Sequence, residues 1–373
     1  MKEFNIDEFR NAVLPLEVEI MATWNSQTPL VSIVCTTYNH KHYIEDAIRG
    51  FLIQRTDFPF EIIIHDDAST DGTNLIVQKY VEGYPTLIKY IQQAENQYSK
   101  GKRIIPLASK QAVGEYLALC EGDDFWISPE KLSIQISSMQ NYGQCKISFH
   151  RAFVWGGGLS ARLFRRSSGS GLNYPNRPYV FPVKSVILGD GGFMPTPSIV
   201  VRKECLDNLP AWFDETPVGD YFIQILSSVP GGALYLPDEM CLYRAHSSGS
   251  WSSAMKVDPE RRLKFFDSYI SAMQKLGVTI GDLYAGPIGK MIFVRFCHLL
   301  LERHITLGEV SSRSKLVANC AGKERKKLKL LLSFDSTTRL SALIGIMAFR
   351  SMRTLSSILA FLPGSWRSRF RNV

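Results

Sequence analysis

Four short apolar runs, each ending in polar residues, constrain this chain more than any other feature. They are LVSIVCTT (30–37), FEIIIHDD (60–67), LIKYIQQ (87–93) and YLALCEGDD (116–124). Continuous, β-branched and only about seven to nine residues long, they read as strands buried on both faces. Between the first two, HYIEDAIRGFLIQ sets Tyr43, Ile44, Ala47, Ile48 and Phe51 at helical spacing. After the second, Ser69-Thr70-Asp71-Gly72-Thr73 is a turn suited to capping the helix NLIVQKYVEGY. A polar loop around Lys100-Gly101-Lys102-Arg103 leads to a further helix expected to end near Gly114. Such alternation makes a parallel α/β sheet, and sheets of that kind bind ligands beyond the carboxyl ends of their strands.

Three of those ends carry polar clusters: Thr36-Thr37-Tyr38-Asn39, Asp66-Asp67 and Asp123-Asp124. Two adjacent carboxylates at the end of an apolar strand are costly unless positive charge sits beside them. A hard divalent cation with oxygen ligands and a bound diphosphate supplies that charge. Asp67 has another use available, since a carboxylate accepts the imide N–H of a uracil. Asp66 then supports the turn, and Ser69 or Asp71 caps the following helix.

VSIVCTTYNH, EIIIHDDASTDGT and GEYLALCEGDDFW, in this order and spacing, resemble the donor-binding half of family 2 glycosyltransferases. CEGDDFWISPEKLSIQ is similar to a branch common in bacterial surface-polysaccharide synthesis, and the likeness covers about residues 29–255. The resemblance implies an α/β fold of the GT-A, Rossmann-like type. It also implies a UDP- or TDP-sugar donor, Mg²⁺ or Mn²⁺, and inversion at the anomeric carbon. By matching motif positions, Thr36 and Asp67 hold the nucleotide base, with Tyr38 and Asn39 in the same donor-binding cluster. Asp123 faces the ribose or the metal, and Asp124 is a metal ligand. The signature is read here as Glu121-Gly122-Asp123, which leaves open which carboxylate binds the ion, and Thr36 stands where the family often has Pro.

Inverting transfer needs a base near the acceptor hydroxyl. Asp220, in PVGDYF, opens an expected helix about where the family places that base, with Asp214 and then Glu215 as weaker candidates. In YRAHSSGSW the resemblance has the segment fold back over the donor, so that His246 touches the metal or the diphosphate near Trp251. Arg103 or Lys102 is placed to grip the diphosphate.

The rest of the chain is organised around this half. Residues 1–28 form an N-terminal segment. Residues 29–126 form the donor-binding half and 127–255 the acceptor half of the catalytic domain, with a loop-like Gly/Ser/Arg-rich stretch from Gly156 to Pro178. Residues 256–373 form a mostly helical extension. Residues 323–373 hold eleven Lys/Arg against Glu324 and Asp335, a local +9 within a whole-chain +8, so the other 322 residues carry −1. Charge so confined argues against a nucleic-acid binder. On a helix, Arg339, Arg350 and Arg353 fall within about 60° of arc beside a broad apolar face, the pattern of a helix lying on an anionic membrane. The seven cysteines form no CxxC pair and the first residues, MKEFNIDEFR, contain no apolar leader. The expectation is a cytoplasmic enzyme, peripheral at the inner membrane face, that passes sugar to a glycan or lipid-linked acceptor. A non-catalytic nucleotide-sugar-binding protein tethered at a membrane is the alternative, and it leaves Asp220 without a task.

Overall fold

The computed structural model describes residues 4–155, 162–163, 174–245 and 258–301. They divide into two compact units, the first holding 4–155, 162–163, 174–186 and 194–245, the second 187–193 and 258–301. His246, Trp251, most of the 156–178 stretch and the basic tail 323–373 lie outside the described residues.

The first unit begins with two short helices, α1 (Ile6–Asn11) and α2 (Glu17–Met21). The expected alternation follows as β1 (Val31–Thr37), α3 (Ile44–Leu52), β2 (Phe60–Asp66), α4 (Thr73–Gly83), β3 (Ile88–Gln92), α5 (Ile104–Ser109) and β4 (Tyr116–Glu121). Every residue of β2 is buried, and β1 is buried at all positions but Thr36. Each fully buried Ile or Phe contributes about 1.5–3 kcal/mol by leaving water, so these strands can occupy only the middle of the sheet. On α3, Ile44, Ala47, Ile48, Phe51 and Leu52 form the buried stripe, and Glu45 and Asp46 lie in the first turn, where the helix dipole favours acids.

Next come β5 (Phe125–Trp126), α6 (Lys131–Asn141), β6 (Ile147–Trp155), β7 (Arg162–Leu163), β8 (Tyr179–Phe181), α7 (Val183–Gly189), β9 (Val200–Arg202), α8 (Lys203–Asp207), α9 (Gly219–Ser228) and β10 (Ala233–Arg244). The second unit contains α10 (Pro259–Ile280) and α11 (Ala285–Leu301). Two corrections to the expected elements stand out. The fourth strand stops at Glu121 rather than running to Asp124, because Gly122 N–H bonds to Thr36 O and Asp124 N–H bonds back to Glu121 O, closing a turn. Within the expected 156–178 loop, Arg162 and Leu163 pair with β6 as a short strand.

Among the described residues the sheet has ten strands, ordered β3-β2-β1-β4-β9-β6-β10-β5, with β7 on β6 and β8 on β10. The pairs β1–β2, β1–β4 and β2–β3 are parallel, as the sequence pattern required, while β9 runs antiparallel to both β4 and β6. Strand order runs outward from β1 in both directions, through β2 to β3 on one side and to β4 on the other. Such a reversal splays the connecting loops apart at the carboxyl ends and opens a crevice there.

Candidate active site

The crevice is built from strand ends in register. Thr36 of β1 lies opposite Glu121 of β4 and His65 of β2. Beyond Glu121 the chain turns through Gly122, Asp123 and Asp124, then enters β5, which pairs antiparallel with Leu242 and Cys241 of β10. The acidic turn is therefore fastened at both ends by strand pairing. Gly122 cannot be replaced freely: a Cβ there would lie 2.8 Å from Thr37 Oγ1 and 2.9 Å from His40 Nδ1. Another close approach, of Gly50 on α3 to the backbone of Trp126, holds β5 down, since a Cβ would come within 2.7 Å of Trp126 N.

Asp124 is only 1% exposed, although it is a carboxylate. Its Oδ1 accepts the Arg244 backbone N–H at 2.7 Å, and its Oδ2 is buried with no partner among the described residues. One oxygen each from Glu121, Asp123 and Asp124 lies within 4.8 Å of the others. Burial, then the charges of Asp123 and Glu121, raise the Asp124 carboxyl well above its ordinary range. Burial and the charges of Asp123 and Asp220 push Glu121 up to about 8, against the pull of a hydrogen bond from Thr196. A partnerless buried carboxylate oxygen among crowded acids is the donor set that a hard divalent cation satisfies. Mg²⁺ or Mn²⁺ fits these residues.

Asp220 stands in the first turn of α9, with Oδ1 accepting the Tyr221 N–H at 2.8 Å. Its charge helps to raise both Glu121 and the Tyr243 phenol, so it belongs to the same electrostatic neighbourhood as the acidic turn. Arg103 reaches that helix start too. A Cβ on Gly219 would lie 3.7 Å from Arg103 Cδ, the guanidinium carbon lies 5.7 Å from the Tyr98 ring centroid, and Arg103 Nε is buried with no partner among the described residues. Lys102 instead pairs with Asp214 at 3.0 Å on the surface, which occupies the second candidate base. Glu215 lies in the short helical turn Phe213–Glu215.

The loops after β1 and β2 are tied together. Asn39, at φ +57°, donates its N–H to Ser69 Oγ and accepts the Thr70 N–H on Oδ1, both at 2.8 Å. Ala68 also has positive φ, +68°, an uncommon conformation for a residue with a Cβ and one that collects at functional loops. Tyr38 is 46% exposed beside this latch, and Thr36 is half-buried. Asp66 accepts Ser69 N–H and Tyr90 O–H, supporting the turn as expected, and Asp71 caps α4 through Thr73. Asp67 has further work that the sequence did not announce. Its Oδ1 and Oδ2 accept the N–H groups of Gln97 and Tyr98 at 2.7 and 3.0 Å, ordering the loop that carries Tyr98 under Arg103.

Sequence reasoning missed Arg244, which is 7% exposed and donates Nη1–H to Asp123 O at 2.6 Å. It also passed over Asp46 and Tyr243. Glu121, read from the sequence as the first residue of the Glu121-Gly122-Asp123 signature, stands in one cluster with Asp123 and Asp124. A groove of about 890 Å³ lined by Leu30, Phe58, Glu115 and Gln140 lies at the opposite, amino ends of β1, β2 and β4, away from all of these groups.

Residues 32–188 match the sequence profile of glycosyl transferase family 2. The protein Rv1520 of Mycobacterium tuberculosis is 34% identical over 285 residues, covering 76% of this chain and 73% of that protein. The chain belongs to glycosyl transferase family 2. This family 2 enzyme is also 35% identical over 111 residues to WfgD of Escherichia coli, a UDP-Glc:alpha-D-GlcNAc-diphosphoundecaprenol beta-1,3-glucosyltransferase. That match spans 30% of this chain and 41% of WfgD. The crystal structure of Staphylococcus aureus TarS residues 1–349 in complex with UDP superposes with TM-score 0.50 at 17% identity, covering 84% of this chain and 80% of that one. The family 2 transferase thus has the GT-A fold that its strand order describes.

Proposed function

We propose that this transferase moves a sugar, with inversion, from a nucleotide diphosphate sugar, of which a UDP-sugar fits best, to a hydroxyl of a glycan or lipid-linked acceptor. The observation that carries this is the buried, partnerless Oδ2 of Asp124 inside the Glu121–Asp123–Asp124 cluster, with Asp220 in electrostatic reach. Asp123 and Asp124 would hold Mg²⁺ or Mn²⁺ there, with Glu121 alongside, and the ion supplies positive charge to the departing diphosphate. Asp67 and Thr36 address the base, Tyr38 and Asn39 line the donor side, and Arg103 offers its unpartnered Nε–H to phosphate oxygen. Asp220 removes the proton of the acceptor hydroxyl as that oxygen bonds to the anomeric carbon. The bond from that carbon to the diphosphate breaks on the opposite face, and its electron pair leaves with the nucleotide.

A role in surface-polysaccharide synthesis draws support from WfgD, whose name specifies a UDP-sugar donor and a lipid-diphosphate acceptor. Among the described residues no helix is long and apolar enough to cross a membrane. In this reading the Lys/Arg-rich residues 323–373 meet such an acceptor at the inner membrane face and His246 is a further ligand to the ion or the diphosphate, both outside the described residues. The test is a panel of UDP-, TDP- and GDP-sugars, assayed by calorimetry and by donor hydrolysis with and without Mn²⁺. Binding that requires the ion, and turnover that disappears in Asp220→Asn, are expected. A protein that binds no nucleotide sugar in the presence of Mn²⁺ is not this enzyme.

A further inference from the structure

Behind the acidic turn lies a set of charges for which the transfer chemistry has no direct use. Asp46, on α3, is only 3% exposed. Arg10 of α1 grips it from outside, Nε to Oδ1 at 2.8 Å and Nη2 to Oδ2 at 2.7 Å. From inside, Arg244 Nη2 bonds to the same Oδ2. Arg244 also holds the acidic turn itself, Nη1–H to the carbonyl of Asp123 and backbone N–H to Asp124 Oδ1. Its guanidinium is walled by the rings of Phe125, Tyr43 and Trp155, at 4.5, 5.2 and 5.2 Å to their centroids. Phe9 and Phe4 of the N-terminal segment pack on Phe125, with centroids 5.2 and 5.9 Å away, and Arg49 holds the same segment by its Phe9 and Ala12 carbonyls.

Arg10, Asp46 and Arg244 thus form a row of paired charges running from the surface to the acidic turn, which Arg244 holds by the Asp123 carbonyl and by Asp124 Oδ1. Without Arg10, Asp46 would keep Arg244 as its one remaining guanidinium partner among the described residues. Arg244 would then be drawn toward Asp46, and its grip on the Asp123 carbonyl would loosen. A fully buried carboxylate held by two arginines is a costly arrangement that an apolar residue on α3 would avoid. Its location directly behind the proposed cation ligands gives it a purpose.

We propose that Arg244 is a positioning residue for the cation and diphosphate site, and that the N-terminal helix, acting through Arg10 and Asp46, locks Arg244 in place. In this assignment, which rests on the transferase function proposed above, docking of residues 4–12 and occupancy of the cation site strengthen each other by the same factor. Groups that orient a ligand from behind typically carry about 10- to 100-fold in metal affinity.

The experiment uses the full chain and Mn²⁺ as the probe. Free Mn²⁺ is measured by electron paramagnetic resonance for the wild type, Arg10→Ala, Arg10→Lys and Asp46→Asn, with amide exchange of residues 6–11 followed with and without the ion. Arg10→Ala removes a side chain that is 44% exposed, so its fold should survive, and Asp46→Asn preserves shape while removing charge. Both should bind Mn²⁺ about tenfold more weakly, and Arg10→Lys should recover part of that loss. In the wild type, Mn²⁺ should slow exchange across residues 6–11, an effect absent from Arg10→Ala. Wild-type and Arg10→Ala affinities within twofold of each other, with exchange at 6–11 indifferent to the ion, would overturn the relay and leave the transferase intact. A wild type that binds neither Mn²⁺ nor nucleotide sugar would overturn both.

Discussion

Replacing Asp124 by Asn should make the protein more stable and less able to bind its cation, and the two effects can be measured apart. Without an ion, three carboxylates crowd one pocket with ligand oxygens within 4.8 Å. Two like charges at that distance repel by roughly 3–4 kcal/mol at an effective dielectric constant of about 20. Burial and mutual charge raise both Glu121 and Asp124, so the Asp123–Asp124 repulsion is felt in full only once the pH has risen far enough to ionise Asp124. The Arg244 N–H on Oδ1 offsets part of the repulsion and remains available to the Asn oxygen. The net gain for Asp124→Asn in the cation-free state, at a pH where Asp124 is ionised, is therefore about 1–3 kcal/mol. Its pH dependence has a definite sign. The Asp124 carboxyl is raised in the folded state, so the folded protein retains a proton that the unfolded chain has released. Wild-type stability therefore falls as pH rises above the ordinary carboxylate range. The variant lacks that contribution, and its advantage should be larger at pH 8.5 than at pH 5.5. Urea unfolding in EDTA at the two pH values measures this. With Mn²⁺ at 100 times its dissociation constant, the wild type should gain about 2.7 kcal/mol and the variant little, narrowing or reversing the order. A variant less stable than wild type in EDTA at both pH values, or one stabilised equally by Mn²⁺, would refute the reasoning.

Three further outcomes are expected. Asp220→Ala should lower kcat by about 10²–10⁴-fold while donor KM and Mn²⁺ affinity change by less than about threefold, which steady-state kinetics and calorimetry would separate. Gly122→Ala drives a methyl group to 2.8 Å from Thr37 Oγ1. It should cost about 1–3 kcal/mol of stability and weaken Mn²⁺ binding, as thermal unfolding with and without the ion would report. Lys131 is fully buried, bonded to Gln135 and 4.1 Å from the Trp126 ring centroid, and burial lowers its ammonium to about 7. Between that value and the ordinary lysine range the unfolded chain binds the extra proton, so this group makes stability rise with pH above 7, by up to about 1.4 kcal/mol per pH unit. The wild-type minus Lys131→Met difference in unfolding free energy should carry that slope from pH 7 to 9.5, and a flat difference would show that Lys131 stays charged.

The alternation of strands and helices and the acids at the strand ends were legible because both are local. A buried parallel strand must be an unbroken apolar run, and a helix between two such strands must show one apolar stripe. The grouping of Glu121, Asp123 and Asp124 is likewise a matter of neighbours in the chain. Asp66 could be read as a turn support for the same reason: its partner Ser69 is three residues away.

What only the tertiary structure decided is how distant residues meet. Asp46 resembles any acid in the first turn of a helix, and Arg10 and Arg244 are 36 and 198 residues from it, so no spacing links the three. The binding of Asp67 to the Gln97 and Tyr98 amides depends on a loop 30 residues on returning past the end of β2. The approach of Arg103 to Gly219 depends on α5 and α9 converging on one rim. Strand order also escaped the pattern, since the same buried runs could pair in other sequences until the connecting helices choose their faces. Hydrophobic periodicity states that a residue is buried without naming its neighbours. Compensation of buried charge is a property of neighbours, so it becomes visible only once the chain is folded.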